Sequence, residues 1–520
     1  MLSKVDRFSE GEVSSKEPEE HIVAELEKQS SYRQIMKATS LFGGVQAFNI
    51  LISITRSKVI AILLGPAGIG VVGLLTSAVD LINSFASFGL STSAVKDVAA
   101  AHSTNDLHRS GVVVTVFRRW VWITGLFATL LMIASSPWLS KLTFGNSEYT
   151  SAFAWISVTL LFNQLTNSQL VVLQGMRHLN YLARANVYGN VLSLFTTLPL
   201  YYFFGIDGVV PALILSSAAS LTIAHFFAGK VKIQRVKVSK LRTVLEGRGM
   251  LKLGFFLSIS GLVTTLVSYI VRIFISNQGG VEDVGLYNSG FQIINTYVGM
   301  IFAAMATDYY PRLSGVAHDN KQAASIINQQ GEIALLIMAP IILFFLVFVD
   351  WIVIFLYSKK FVEITPMIQW AAVGMLFKAA SWAIAFMFLA KGDSKLFFFS
   401  ELVTNIYLLG FNLIGYQLGG LTGLGVSFLL TYVVYLLQVY LLARARYQFN
   451  FEFHFYKLFG IQLILAISCF LAVKVLEQPY SYMVGLCLIV VSVVHAYQEL
   501  NKRLGLMAIL ENIRNRFFKK

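Results

Sequence analysis

The stretch LLGPAGIGVVGLLTSAVDLINSFASFGLSTSAVKDVA, residues 63–99, decides the fold. It opens on a Gly–Pro pair, the place where one helix stops and another starts, because proline fits a first turn but not a helix interior. More than twenty residues follow with one charge among them, Asp80. A run of that kind crosses a hydrocarbon core of roughly 30 Å as a helix. Lipid offers the backbone no hydrogen-bond partners, so a chain of such runs must satisfy itself as helices, and the short alternating strands of a barrel are absent from its pattern.

A second copy of this pattern lies further on. VGLLTS (72–77) recurs as VGLYNS (284–289) at an offset of 212. Each follows a glycine-containing hinge and opens a helix that runs through an asparagine, Asn83 or Asn295. YYFFGIDGV (201–209) resembles YQLGGLTGL (416–424) at an offset of 215. Two similar offsets, one early and one late, indicate a duplicated unit of six helices. An even number of spans keeps both copies in one orientation about an axis normal to the membrane.

The whole chain fits this reading. Of 520 residues 56% are hydrophobic and 13% charged, and the mean hydropathy is +0.67. A soluble chain carries about twice that share of charge. Spans are expected near 37–63, 68–96, 110–136, 150–174, 179–204 and 208–229, then 253–276, 284–310, 329–356, 362–390, 395–416 and 420–443, with a final pair at 458–476 and 481–498. The fold expected is therefore all-α and membrane-embedded. It has about fourteen transmembrane helices, arranged as two pseudo-symmetric six-helix lobes around a central cavity plus two C-terminal helices. The segments are an N-terminal tail (1–36) read as solvated, an N-lobe (37–229), a basic linker (230–252), a C-lobe (253–446), the extra pair (447–498) and a basic tail (499–520).

A net charge of +14 invites a nucleic-acid reading, and its distribution removes it. Of 41 Lys and Arg residues, 31 lie on one side of these spans, 4 on the other and 6 inside. That asymmetry places both termini and the linker in the cytoplasm, with anionic lipid headgroups as secondary partners. Cys469 and Cys487 sit in apolar spans and imply no disulfide framework. No cleavable signal is visible, because residues 1–36 are polar. No metal-ligand cluster, phosphate-cradling loop or nucleophile elbow appears, which leaves catalysis and ATP use without residues to carry them. His225 and His495 fall near span ends and read as surface residues.

Charges inside the bilayer are costly and call for a reason. The cationic ones are Arg56, Lys58, Arg118, Arg119, Arg272 and Lys378. LISITR, ending at Arg56, and LVSYIVR, ending at Arg272, occupy equivalent places in the two halves apart from one inserted residue. A cavity between lobes lined by such guanidiniums suits a phosphate or pyrophosphate, which their planar fork grips bidentately. Snorkelling to the headgroups is the alternative for each, most readily for Lys58 and Arg119. The acidic candidates for ion coupling are Asp80, Glu401 and Asp308. Asp80 either binds a coupling H⁺ or Na⁺ or pairs with Arg56, and Asp308 is placed to pair with Arg312.

The 63–99 stretch resembles the helix 1–2 region of Wzx-type O-antigen translocases, lipid-linked oligosaccharide flippases of the multidrug/oligosaccharidyl-lipid/polysaccharide exporter superfamily. VGLYNSGFQIINTYVGMIFAAMATDYYPRLS (284–314) is similar to their helix 8, with its closing Pro–basic–Leu–Ser. The likeness covers roughly residues 37–446. It implies a V-shaped pair of lobes alternating around a cationic cavity in a bacterial inner membrane, with no cofactor beyond a coupling H⁺ or Na⁺. The implied cargo is a polyprenyl-pyrophosphate-linked glycan, and other polysaccharide-assembly membrane proteins are implied partners. The long acidic N-tail and the extra helix pair depart from the twelve-helix pattern and bring in the peptidoglycan-precursor flippases as the alternative. A drug exporter would need an acidic cavity, a membrane glycan polymerase large outer loops, and a scaffold no buried charges. The cationic spans, the short outer connections and the buried charges disfavour these readings, and the exporter and the polymerase stay as lesser alternatives.

Overall fold

The computed structural model describes the backbone of residues 16–504 apart from 105 and 235, and most side chains from residue 48 onward. Its α-helices are α1 (Lys16–Ala86), α2 (Leu90–Ser103), α3 (Leu107–Phe144), α4 (Thr150–Ile156), α5 (Val158–Gly175), α6 (Leu179–Phe204), α7 (Val209–Gly229), α8 (Lys240–Gln292), α9 (Met300–Gly315), α10 (Asn320–Leu356), α11 (Thr365–Ala390), α12 (Ser394–Tyr447), α13 (Phe453–Val475) and α14 (Tyr480–Leu504). No strand occurs among the described residues.

These helices do not correspond one to one with the spans expected from the sequence. Among the described residues ten helical runs are long and apolar enough to cross a membrane. Four of those runs are interrupted at glycines: at Gly65, at the short 3₁₀ turn Gly205–Gly208, at Gly280 and at Gly419–Gly420. The fourteen expected spans divide the four runs at these breaks. α1 starts upstream of the expected 37, at Lys16, and residues 1–15 lie outside the described residues. The second half of the basic linker is likewise helical, as the first turns of α8. Ser239 caps that helix, accepting from Arg242 N at 3.2 Å.

The breaks carry the duplication into the backbone. Gly65 (φ 66°, ψ −168°) and Gly280 (φ 88°, ψ 175°) stand 215 residues apart. Gly205 (φ 56°, ψ −131°) and Gly420 (φ 54°, ψ −137°) stand 215 apart as well, with nearly the same angles. Residues with a β-carbon rarely adopt such positive φ values, so glycine is required at each. The two halves therefore turn at the same places in the same way.

The halves meet near Gly65 and Gly280, which we call the hinge end. A β-carbon on Gly70 would collide with the carbonyl oxygen of Val281, one on Gly285 with that of Pro66, and one on Gly73 with the Asn288 amide. Asn277 Nδ2 donates to Leu142 O at 3.0 Å, and Thr143 shares a hydrogen bond with Tyr269. Further along the same two runs, toward the end that carries the basic linker, Asp80 and Asn295 are exposed. The lobes are thus closed at the hinge end and parted toward the basic end. The first turns of α8 do not follow the C-lobe there. They pack on the N-lobe, where Met250 joins the core of α2, α3 and α5, Ser93 Oγ donates to Met250 O at 2.8 Å, and Trp120 Nε1 donates to Thr243 O at 2.9 Å. α13 and α14 pack against α10, through Phe455, Ala466, Cys469 and Leu458.

Candidate functional site

Asp80 lies where the run after Gly65 leaves the lobe contact. Its neighbours on that helix face are Thr76 and Asn83, one turn to either side. Polar residues recur at the same spacing on three more helices: Asn163 and Asn167 on α5, Asn186, Asn190 and Ser193 on α6, and Ser216 and Ser220 on α7. These stripes face one another. They enclose two contiguous hollows inside the N-lobe, of about 320 and 250 Å³, which share Asp80, Asn163, Asn190 and Ser220. Sequence reading had identified only Asp80 and Arg56 here. The signal it passed over was the i, i+4 recurrence of asparagine and serine within apolar helices.

Arg56 forms the hinge-end wall of the smaller hollow. Its Nη2 donates to Ser193 Oγ at 3.1 Å, and Ser193 in turn shares a hydrogen bond with Ser216. The expected Asp80–Arg56 ion pair is not formed. The two residues line one hollow, but Arg56 turns its hydrogen bond to Ser193. Arg272 donates from Nε to Asn288 Oδ1 at 2.8 Å and from Nη1 to Ser268 O at 3.0 Å, with the Tyr287 ring centre 5.8 Å away.

The inserted residue noted in the sequence explains why the two arginines are not mirror images. Arg56 precedes its hinge glycine by nine residues and Arg272 by eight. One residue turns a side chain by about 100° around a helix. Arg56 consequently points into its own lobe, and Arg272 points at the helix that follows its hinge.

The other expected cations are scattered. Lys58 Nζ donates to Ile354 O at 2.7 Å, tying α1 to the last turn of α10 at the hinge end, where a cation suits the free carbonyls. Arg118 Nη2 donates to Gln169 Oε1 at 3.0 Å, inside the N-lobe. Arg119 Nη1 donates to Val238 O and to Thr243 Oγ1, each at 2.8 Å, and so secures the linker instead of facing a cavity. Lys378 stands in the C-lobe, 3.1 Å from Asn295 Oδ1 and 5.0 Å from the centre of the Tyr432 ring.

Of the remaining carboxylates, Glu401 accepts from Tyr435 Oη at 2.9 Å within the C-lobe. Asp308 is exposed, and its expected partner Arg312 donates elsewhere, to Gln330 Oε1 at 3.1 Å. His495 is not a surface residue. It is half-buried, with Nδ1 3.1 Å from Gln462 Nε2 in the seam between α13 and α14. Among the described residues no group of three or more His, Cys, Asp or Glu side chains could hold a metal ion.

Comparison with known proteins agrees with this architecture. Residues 59–366 match the family model described as "Polysaccharide biosynthesis protein". The lipid III flippase of Escherichia coli is 22% identical over 387 residues, 73% of this chain and 90% of that protein. A candidate O-antigen transporter of Shigella flexneri is 24% identical over 400 residues, 75% of this chain and 92% of that protein. Among solved structures, an inward-facing multidrug resistance MATE family transporter of the MOP superfamily superposes with a TM-score of 0.66 at 17% identity, covering 77% of this chain and 94% of that one. The lipid II flippase MurJ in an inward closed conformation gives 0.64 at 14% identity, covering 89% and 99%.

Proposed function

The chain belongs to the polysaccharide biosynthesis protein family, and on that premise we propose that it is a flippase. Its cargo is a polyprenyl-pyrophosphate-linked oligosaccharide, moved from the inner to the outer leaflet of the bacterial cytoplasmic membrane by alternating access of its two lobes. The observation that carries this reading is the cleft itself. It is closed at the hinge end by glycine-to-backbone contacts and parted toward the basic end, where Asp80 is exposed on one lobe and Asn295, the hydrogen-bond partner of Lys378, on the other. The basic end is cytoplasmic because 31 of the 41 basic residues gather there. Relatives named as a flippase and a transporter support transport, and the same reading assigns no catalytic step to the protein.

In this mechanism the guanidinium of Arg272 takes the pyrophosphate at the cleft, because the pyrophosphate oxygens match its planar donors. Asp80 couples the movement to a proton or Na⁺. A carboxylate that meets Arg272 when the lobes approach, and water when they part, holds a cation differently in the two states. A peptidoglycan-precursor flippase is the second reading. It is favoured by α13 and α14, since the structure named as a lipid II flippase covers 89% of this chain against 77% for the MATE transporter.

The test is flipping in liposomes of a prenyl-pyrophosphoryl sugar carrying a dithionite-sensitive fluorophore. Wild-type protein should expose both leaflets to quenching, and Arg272→Ala should slow this at least about tenfold, the loss of one charge-assisted contact. A full rate in Arg272→Lys would remove the bidentate grip, and no flipping by wild type would remove the function. Asp80→Asn should flip without responding to an imposed pH or Na⁺ step. An unchanged response would take Asp80 out of the coupling role.

A further inference from the structure

The N-lobe hollow has more polar surface than a pyrophosphate needs, and of the wrong kind for one. Its walls are mainly neutral amides and hydroxyls. Asn163 and Asn186 are half-buried and Asn167 is exposed at its rim, and Asn83 Oδ1 is buried without a hydrogen-bond partner. A buried acceptor left unmet is costly, and a hollow that sets several accessible amides around it offers a ligand partners on every side. The one guanidinium, Arg56, stands at the hinge-end edge and is already engaged by Ser193.

The chemistry of that ligand follows from the donors. A primary amide offers N–H₂ and C=O side by side, the complement of two adjacent hydroxyls or of an acetamido group. A pyrophosphate offers acceptors only, and would leave every amide oxygen repelled. A bare cation would find one carboxylate, Asp80, among neutral oxygens, with no second carboxylate among the lining residues. A neutral polyhydroxylated ring uses both halves of each asparagine. Taken together, the contiguous hollows of about 320 and 250 Å³ fall in the size range of small-molecule sites, about 300–1,000 Å³.

We propose that this hollow is the seat of a sugar of the cargo, held by Asn163, Asn167, Asn186 and Asn83, while the pyrophosphate stays at the cleft on Arg272. The proposal rests on the flippase reading and extends it by dividing the cargo between two chemically distinct places. The N-lobe reads the glycan, and the cleft reads the charge common to all such cargoes.

Two kinds of water-soluble probe separate these roles: farnesyl pyrophosphate, and its conjugates with N-acetylglucosamine and with galactose. Binding is measured by calorimetry on the full chain in lipid nanodiscs. At least one conjugate should bind wild type about tenfold more tightly than the bare probe, the yield of one or two buried hydrogen bonds. Asn163→Leu and Asn186→Leu should abolish that advantage and leave farnesyl pyrophosphate binding unchanged. Asn163→Ser and Asn186→Ser, which shorten the side chain and keep it polar, serve if a leucine variant misfolds. Equal binding of bare and conjugated probes to wild type overturns the sugar seat and leaves the flippase reading standing. An advantage that survives in all four variants places the sugar elsewhere and also overturns it. Binding of neither probe overturns both readings.

Discussion

The two lobes share a backbone plan and differ in what fills it. At the offset of 215 that relates Gly205 to Gly420, the N-lobe residues Asn186, Ser217 and Ser220 correspond to Glu401, Tyr432 and Tyr435. In the N-lobe these small positions border the hollow. In the C-lobe the tyrosines occupy the corresponding space: Tyr435 reaches Glu401, Tyr432 lies edge-on to Tyr435, and Lys378 sits over the Tyr432 ring. The apolar cores show the same contrast. The N-lobe has one cluster at the basic end and one at the hinge end with no shared residue, and the polar hollow lies between them. The two C-lobe clusters are bridged by Trp382, Tyr432, Leu436 and Phe451. Duplication fixed where the chain bends. Divergence of a few side chains then made one half a container and the other a solid lever.

Hollowing the solid half should have the largest effect. Tyr435 is 9% exposed, and Tyr435→Ser removes a ring from a packed site. A loss of about 3–5 kcal/mol is expected, as for other deletions of large buried aromatics, and is read as a lowered unfolding midpoint in detergent. Tyr435→Phe keeps the ring but leaves Glu401 without its donor, for about 1–3 kcal/mol. Unchanged midpoints in both variants would mean that the C-lobe is no more solid than its twin, and the contrast would collapse.

Filling the hollow half is the converse experiment. Ser220→Tyr gives the N-lobe the side chain that its twin carries. Because there is room for the ring, the unfolding midpoint should stay within about 1 kcal/mol of wild type. Flipping of a glycan-bearing probe should fall at least about tenfold. A fully active Ser220→Tyr protein would show that cargo does not enter the N-lobe.

The sequence disclosed this plan unevenly. The hinges were legible because positive φ leaves a glycine signature, and VGLLTS and VGLYNS mark the same turn twice. The membrane class was legible because hydropathy acts over twenty residues at once. Side-chain direction was not. Arg56 and Arg272 look equivalent in a one-dimensional comparison, and the single residue between their registers sends them to different surroundings. Arg119 reads as an intramembrane charge until the linker is seen to fold back onto it. The asparagines escaped notice because a lone amide in an apolar helix is unremarkable, and four stripes become a site only when the helices are assembled.

The smallest expected effect concerns what each lobe carries at its basic end. The C-lobe holds α14 through Arg503 and Glu332, 2.8 Å apart, with side chains 19% and 9% exposed. The N-lobe holds the start of α8 through Glu246, whose Oε1 lies 2.8 Å from Arg109 Nη1 and 2.9 Å from Arg242 Nε. This clasp is wetter, at 44% and 47% exposure for the two arginines, so solvent screens it. Burial by itself would raise the Glu246 carboxyl. The hydrogen bonds from Arg242 and Arg109 outweigh that, and hold it below the ordinary range. A carboxyl depressed on folding contributes stability above its unfolded pKa, about 4.3, and loses that contribution as pH falls through the folded value. Glu246→Gln should therefore cost less than about 1 kcal/mol at neutral pH, and the gap to wild type should close below about pH 4. Added salt should narrow it as well. A gap that persists in acid, or that salt does not touch, would mean that Glu246 holds α8 by packing, and that the N-lobe's hold on the linker is as dry as the C-lobe's hold on α14.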